Sequence, residues 1–192
     1  LRICGIVGSP NKNGNVDILV SQVLEGAKSR GAEVEKAYLN DMEIKPCQDC
    51  GKDPYPKYCF FEDDMAKVYS MLETCDAVVL GSPVYFDTVS AQVKLMIDRS
   101  NCLMPYTKLP DGNYGFVKRV GKKKKGVFIA VAGVGQKFET MLAPVKGFFN
   151  WANVELAETI LYPHSTETYG GVKNDESMMK KAFQVGTRLI NG

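Results

Sequence analysis

Two stretches of this sequence carry residue types that could do chemistry. The first is Gly8-Ser9-Pro10-Asn11-Lys12-Asn13-Gly14-Asn15-Val16, which follows the apolar run Ile3 to Val7. The run reads as a short buried strand. A helical pattern then begins at Asn15, with Val16, Leu19, Val20, Val23, Leu24 and Ala27 on one face. A strand, a polar glycine-bearing loop and a helix start together can present an anion site. Free amides of the first helical turn, loop amides and small hydroxyl or amide side chains would converge on a phosphate. The loop is neither a Walker loop nor a dinucleotide fingerprint. Apart from Lys12 its donors are neutral: Ser9, Asn11, Asn13, Asn15 and backbone amides. The same residues also suit an ordinary turn in which Asn15 caps the helix and Gly14 supplies a positive φ.

The second stretch is Cys47-Gln48-Asp49-Cys50-Gly51-Lys52-Asp53 with Cys59 beyond it. It lies in a segment, Asn40 to Glu62, that has no clear periodicity and holds three prolines and three cysteines. A loop this long inside a compact domain is usually functional. The chain has 192 residues and six cysteines, and is expected to be cytoplasmic. Its apolar start is too short for a signal peptide, and no run approaches the ~20 residues that span a membrane. The cysteines then read as thiols, metal ligands or redox groups rather than a disulfide framework. A net charge of +2 gives no reason to expect nucleic acid as a partner, and the single histidine, His164, gives little support to histidine-based triads.

The elements that must position these stretches follow from the remaining pattern. Ala32 to Leu39 is a second predicted strand, and a helix runs from Asp63-Asp64 to about Glu73. Asp76 to Gly81 is a continuous apolar strand, as a central parallel strand should be. It breaks at Ser82-Pro83-Val84-Tyr85-Phe86-Asp87-Thr88, and a helix follows with Val89, Val93, Met96 and Ile97 on one stripe. After a long connection, Asn101 to Gly121, come a strand from Gly126 to Ala132 and a helix from about Phe138 to Trp151. A strand from Val154 to Tyr162 and a helix from Asp175 to Ile190 complete the pattern. This alternation predicts one domain over residues 1–192, an α/β doubly wound sheet of five parallel strands in the order 2-1-3-4-5, layered αβα. In such a sheet ligands sit at the carboxyl ends of strands one, three and four. The loops there are Ser9–Asn15, Pro83–Thr88 and Ala132–Gln136.

Four features in this order then carry a resemblance: the Gly8 to Asn15 loop, the cysteine loop, Asp63-Asp64-Met65, and Gly81-Ser82-Pro83-Val84-Tyr85-Phe86. Lys94 and Ile97-Asp98-Arg99 also fit. The chain resembles the NADPH-dependent FMN reductase and iron–sulfur flavoprotein family, on a flavodoxin-like fold. The resemblance implies that Ser9, Asn11, Asn13, Gly14, Asn15 and Val16 cradle the FMN phosphate. Pro83, Val84, Tyr85 and Phe86 would run along the ribityl chain and one edge of the ring, and Ala132, Gly133, Val134 and Gly135 would meet the other edge. It implies an FMN-dependent NAD(P)H oxidoreductase that passes electrons to a quinone, a flavin or a similar small acceptor, as a homodimer or homotetramer. The chemistry would be the flavin's, with no catalytic side chain.

The alternative is an electron carrier taking electrons from ferredoxin, with a [4Fe–4S] cluster in the cysteine loop. In that branch the pattern is C-x2-C-x2-C followed by a fourth cysteine. Here the set would be Cys47, Cys50, Asp53 and Cys59, with a harder carboxylate in the third position. A loop whose thiols are free, a Cys-x-x-Cys redox pair and adventitious zinc are the competing readings. Cys4, Cys75 and Cys102 read as small core residues. Lys118, Arg119 and Lys122 to Lys125 either attract an anion or solvate a turn. Arg99 either binds a nucleotide phosphate or pairs with an acid, and His164 reads as structural.

Overall fold

The structure, a computed structural model, describes residues 1–52, 54–164 and 169–190. The predicted strands and helices form in the predicted order. They are β1 (Arg2–Val7), α1 (Asn15–Lys28), β2 (Glu33–Tyr38), α2 (Met65–Thr74), β3 (Ala77–Tyr85) and β4 (Thr88–Val89), then α3 (Ala91–Arg99), β5 (Tyr106–Lys108) and β6 (Tyr114–Phe116). β7 (Lys124–Ala132), α4 (Leu142–Trp151), β8 (Val154–Pro163) and α5 (Glu176–Ile190) complete it. The main sheet runs β2-β1-β3-β7-β8 with every neighbouring pair parallel. This is the flavodoxin-like order.

Alternation along the three central strands sends side chains to two cores, because successive Cβ atoms point to opposite faces. Ile3, Val79, Val127, Ile129 and Val131 pack beneath α1 and α5. Cys4, Ile6, Val78, Leu80, Phe128 and Ala130 pack beneath α2, α3 and α4. Covering both faces explains why these strands read as continuous apolar runs.

Two connections differ from expectation. β3 does not stop at Gly81 but runs on to Tyr85 and turns back through Phe86 and Asp87, both at positive φ, so that Val84 and Tyr85 pair with Val89 and Thr88 in β4. Phe-Asp is not one of the dipeptides that mark such a turn in sequence. The connection 101–121 also holds a two-stranded antiparallel hairpin, β5 with β6. Among the described residues, no helix is long and apolar enough to cross a membrane.

Candidate functional site

A cleft of about 320 Å3 opens at the carboxyl ends of the strands. Its floor is set by close backbone approach. The Gly8 amide donates to the Gly81 carbonyl at 2.8 Å. The Ser90 hydroxyl donates to the Gly8 carbonyl at 2.7 Å and accepts from the Val93 amide at 3.3 Å, capping α3. A Cβ on Gly8 would fall 2.1 Å from Val93 Cγ2, and one on Gly81 would fall 2.6 Å from Val20 Cγ2. A side chain at Gly8 would collide with α3, and one at Gly81 with α1.

α1 begins differently from α3. Gly14 stands at its cap position in extended backbone, and no side chain accepts from the first turn. The first intrahelical bond runs from the Ile18 amide to the Gly14 carbonyl at 3.0 Å. The amides of Asn15, Val16 and Asp17 therefore precede the hydrogen-bonded ladder at the positive end of the helix dipole. Asn15 is the first helical residue, not the cap. Its side-chain oxygen accepts from the Val172 amide at 3.0 Å, fastening the turn at Gly171–Asn174 against the loop. Ser9 is buried, and its oxygen accepts from the Asn11 amide at 3.1 Å, leaving the hydroxyl proton to donate.

The acid in this turn is neutralised from below. Asp17 is 3 % exposed, and its carboxylate accepts from Lys36 at 2.7 Å, the Asn13 amide at 2.7 Å and Tyr38 at 3.0 Å. Burial alone would raise its pKa, but these bonds outweigh burial and hold it below the ordinary range. Lys12, the loop's cation, is held 2.6 Å from Asp41. The loop thus meets a ligand with neutral donors.

The opposite wall comes from β3 and the segment after β7. Pro83, Val84 and Tyr85 line the cleft on one side, Val131, Gly133 and Gln136 on the other. Gln136 accepts from the Gly133 amide at 2.7 Å and closes that turn. Asp87, at the tip of the β3–β4 hairpin, accepts from the Lys137 amide at 2.8 Å, and its carbonyl accepts from the Thr140 hydroxyl. The two halves of the wall are therefore tied together.

Of the residues predicted for the site, Ser9, Asn11, Gly14, Asn15, Val16, Pro83, Val84, Tyr85 and Gly133 line the cleft. Asn13 lies to one side at positive φ, Ala132 is buried in the sheet, and Gly135 shapes the turn at positive φ. Phe86 and Val134 project outward, 99 % and 83 % exposed. The sequence reading missed His164, Tyr169 and Gly170, which complete the lining. Tyr169 donates to the Lys12 carbonyl. His164 follows the last strand, and its amide donates to the Ala132 carbonyl at 3.0 Å. Its place at a strand's carboxyl end was the available signal.

The cysteine loop is organised by two arginines. Arg99 donates to the Lys45 carbonyl at 2.8 Å and grips the Asp63 carboxylate at 2.5 and 3.1 Å, with both side chains almost wholly buried. Burial opposes the charge of Asp63, and the bonds from Arg99, the Lys45 amide and the Met65 amide overcome it, leaving the pKa lowered. Arg119 donates to the carbonyls of Pro56 and Lys57 at 3.0 and 2.9 Å. Between these anchors Cys47 and Cys50 are exposed, and Cys59 is half-buried. Asp53 lies outside the described residues. Among the described residues no three of His, Cys, Asp and Glu come together to hold a metal.

The basic run resolves into a paired turn: Lys122 with Asp76 at 2.5 Å, Lys123 with Glu155 at 2.7 Å, and Lys124 buried with its ammonium on the Lys122 carbonyl at 2.7 Å.

Residues 1–159 match the family model described as NADPH-dependent FMN reductase. The chain belongs to this family. Members of the NADPH-dependent FMN reductase family bind FMN and are NAD(P)H-dependent flavin oxidoreductases. The chain is similar to an iron–sulfur flavoprotein of Archaeoglobus fulgidus, 33 % identical over 98 % of this chain and 79 % of that protein. It is also similar to an iron–sulfur flavoprotein of Methanocaldococcus jannaschii, 34 % identical over 98 % and 95 %. Its fold matches that of the azoreductase AzrA with a TM-score of 0.70, at 15 % identity, over 98 % of this chain and 100 % of that one.

Proposed function

We propose that this chain binds FMN in the cleft and acts as an electron-transfer flavoprotein. The observation that carries the reading is the uncapped start of α1, with the Asn15 and Val16 amides and the buried Ser9 hydroxyl beside a cleft that three strand ends enclose. This set of neutral donors fits a phosphate monoester. Bound FMN would supply redox chemistry at its ring. The chain's own residues would bind and orient it. Ser9, Asn11 and the first-turn amides would hold the phosphate. Pro83, Val84, Tyr85 and Gly133 would flank the ring, with Tyr85 screening one side from water. Asn13, Phe86, Ala132, Val134 and Gly135 would act at the edges, by shaping turns or by covering the ring's rim.

For the source of electrons, the two archaeal relatives favour a carrier role, with reduction by a protein such as ferredoxin. The family's description favours the second reading, reduction by NAD(P)H and delivery to a quinone or a flavin. The cluster itself does not fit the residues described. The loop supplies three thiols, which do not converge among the described residues, and the remaining position is a carboxylate. No step is routed through it.

The deciding experiment is an absorption spectrum of anaerobically purified protein with iron and sulfide analyses, followed by rapid mixing with NADPH, NADH or reduced ferredoxin. The carrier reading expects fast bleaching by ferredoxin and slow bleaching by either nucleotide; the reverse order establishes the reductase. Protein that stays colourless after incubation with FMN would overturn both. Iron and sulfide in equal amounts would show that the loop rearranges to hold a cluster. In that case Asp53→Cys should raise iron retention.

A further inference from the structure

The cleft is walled on one side by a segment from far along the chain. Tyr169, Gly170 and Val172 follow the β1–α1 loop contact by contact. The Tyr169 hydroxyl donates to the Lys12 carbonyl. Gly170 stands at φ +67°, so close to the loop that a Cβ there would fall 2.9 Å from the Asn13 carbonyl oxygen. A side chain is excluded at this position both by the left-handed backbone and by the close approach. The Val172 amide donates to the Asn15 side chain at 3.0 Å, and Val172 itself is wholly buried in the core beneath α1 and α5. The segment is therefore seated on the loop by a core residue and a glycine, and Tyr169 reaches from it across to Lys12. Tyr169 is 62 % exposed, so it is held there by its hydroxyl rather than by burial. Tyr169 and Gly170 line the cleft together with Ser9, Asn11, Gly14 and Asn15, at the end where the neutral donors gather.

We propose that this wall restricts the site to a flavin that ends in its phosphate, and that Tyr169 is the specificity-determining residue. The inference rests on the reading of the cleft as the FMN site. FMN ends in a phosphomonoester, whereas FAD carries an adenylate beyond the same phosphate through a pyrophosphate bond. The donors that suit the phosphate share their end of the cleft with Tyr169 and Gly170, so a chain continuing past that phosphate meets the tyrosine ring and the Gly170 backbone. Admitting it requires the wall to move, which breaks the Tyr169–Lys12 bond and strains the Val172–Asn15 bond. Discrimination then comes from the cost of displacing the wall, not from any contact made to FMN alone.

The test titrates the flavin-free chain with FMN, FAD and riboflavin, following flavin fluorescence, in the wild type, Tyr169→Ala, Tyr169→Phe and Gly170→Ala. The wild type should bind FMN more tightly than FAD by roughly tenfold or more. Tyr169→Ala should bring the two affinities to within about threefold, chiefly by admitting FAD. Gly170→Ala should shrink the ratio as well, because its Cβ would force the segment off Asn13. Tyr169→Phe keeps the ring and loses only the bond, so its ratio should fall between those of the wild type and Tyr169→Ala. Riboflavin, which has no phosphate, should bind all four proteins alike. A variant that only damages the fold would weaken all three ligands in proportion. An FMN-to-FAD ratio unchanged in every variant would overturn the proposal, and so would a wild type that takes FAD as readily as FMN. A wild type that binds none of the three flavins would instead overturn the cleft as the FMN site.

Discussion

The loop between β1 and α1 turns its amides outward, whereas the cysteine loop turns its carbonyls inward onto two arginines. The first is held at its root by hydrogen bonds within itself, to its own helix and to the neighbouring strand: Gly8 against Gly81, Ser9 under Asn11, and Asp17 under Asn13. What it leaves over is donors. The second is held by cations from elements far along the chain, Arg99 from α3 and Arg119 ahead of β7. What it leaves over is thiols. One loop is therefore fastened through backbone amides and small polar side chains, while the other hangs on two charged side chains and is open to control through them.

Breaking the anchor of the second loop should give the largest effect. Arg99→Met removes the cation from a pair whose side chains are 1 % and 4 % exposed. Stranding the Asp63 carboxylate should cost about 3–5 kcal/mol, read as a lower urea midpoint; a shift of under about 1 kcal/mol would mean the loop does not rely on this pair. The pH dependence has a definite sign. The folded pKa of Asp63 is depressed, so its contribution is present above the ordinary carboxylate pKa and is lost as pH falls through the lower folded value. Asp63→Asn should flatten the acid limb of stability below about pH 4.

The same contrast explains what was legible in the sequence. The first loop could be read because its determinants are local: an apolar run, a Gly-Ser-Pro break, a helix start at Asn15. The sheet order followed from the alternation of strands with helices. The residues that escaped lie where distant segments meet. Tyr169 bonds back to Lys12, His164 completes a cleft opened by β1, and Cys102 bonds to Tyr69 of α2. No periodicity marks such encounters. The β3–β4 hairpin was hidden for another reason, since its turn residues are Phe86 and Asp87 rather than glycine or asparagine.

A smaller effect is expected at the first loop. Ser9→Ala removes a single buried hydroxyl and with it the acceptor of the Asn11 amide. A hydrogen bond to a charged phosphate is worth about 1.5–3 kcal/mol, so FMN affinity should fall roughly tenfold to a hundredfold, while the stability of the free protein should fall by only about 1 kcal/mol. Quenching of FMN fluorescence on titration reads this directly. Unaltered affinity would place the phosphate elsewhere.

The smallest effect is the most discriminating. If neutral donors hold the phosphate, Lys12 contributes little, because its ammonium already sits 2.6 Å from Asp41 on an exposed surface. Lys12→Ala should change FMN affinity by about twofold or less, the scale of exposed ion pairs. Binding should also weaken only slightly between low and high salt, since hydrogen bonds from amides are screened far less than a free surface charge. A steep salt dependence abolished by Lys12→Ala would show the lysine leaving Asp41 for the phosphate. The first loop would then resemble the second, with a cation as its organising group.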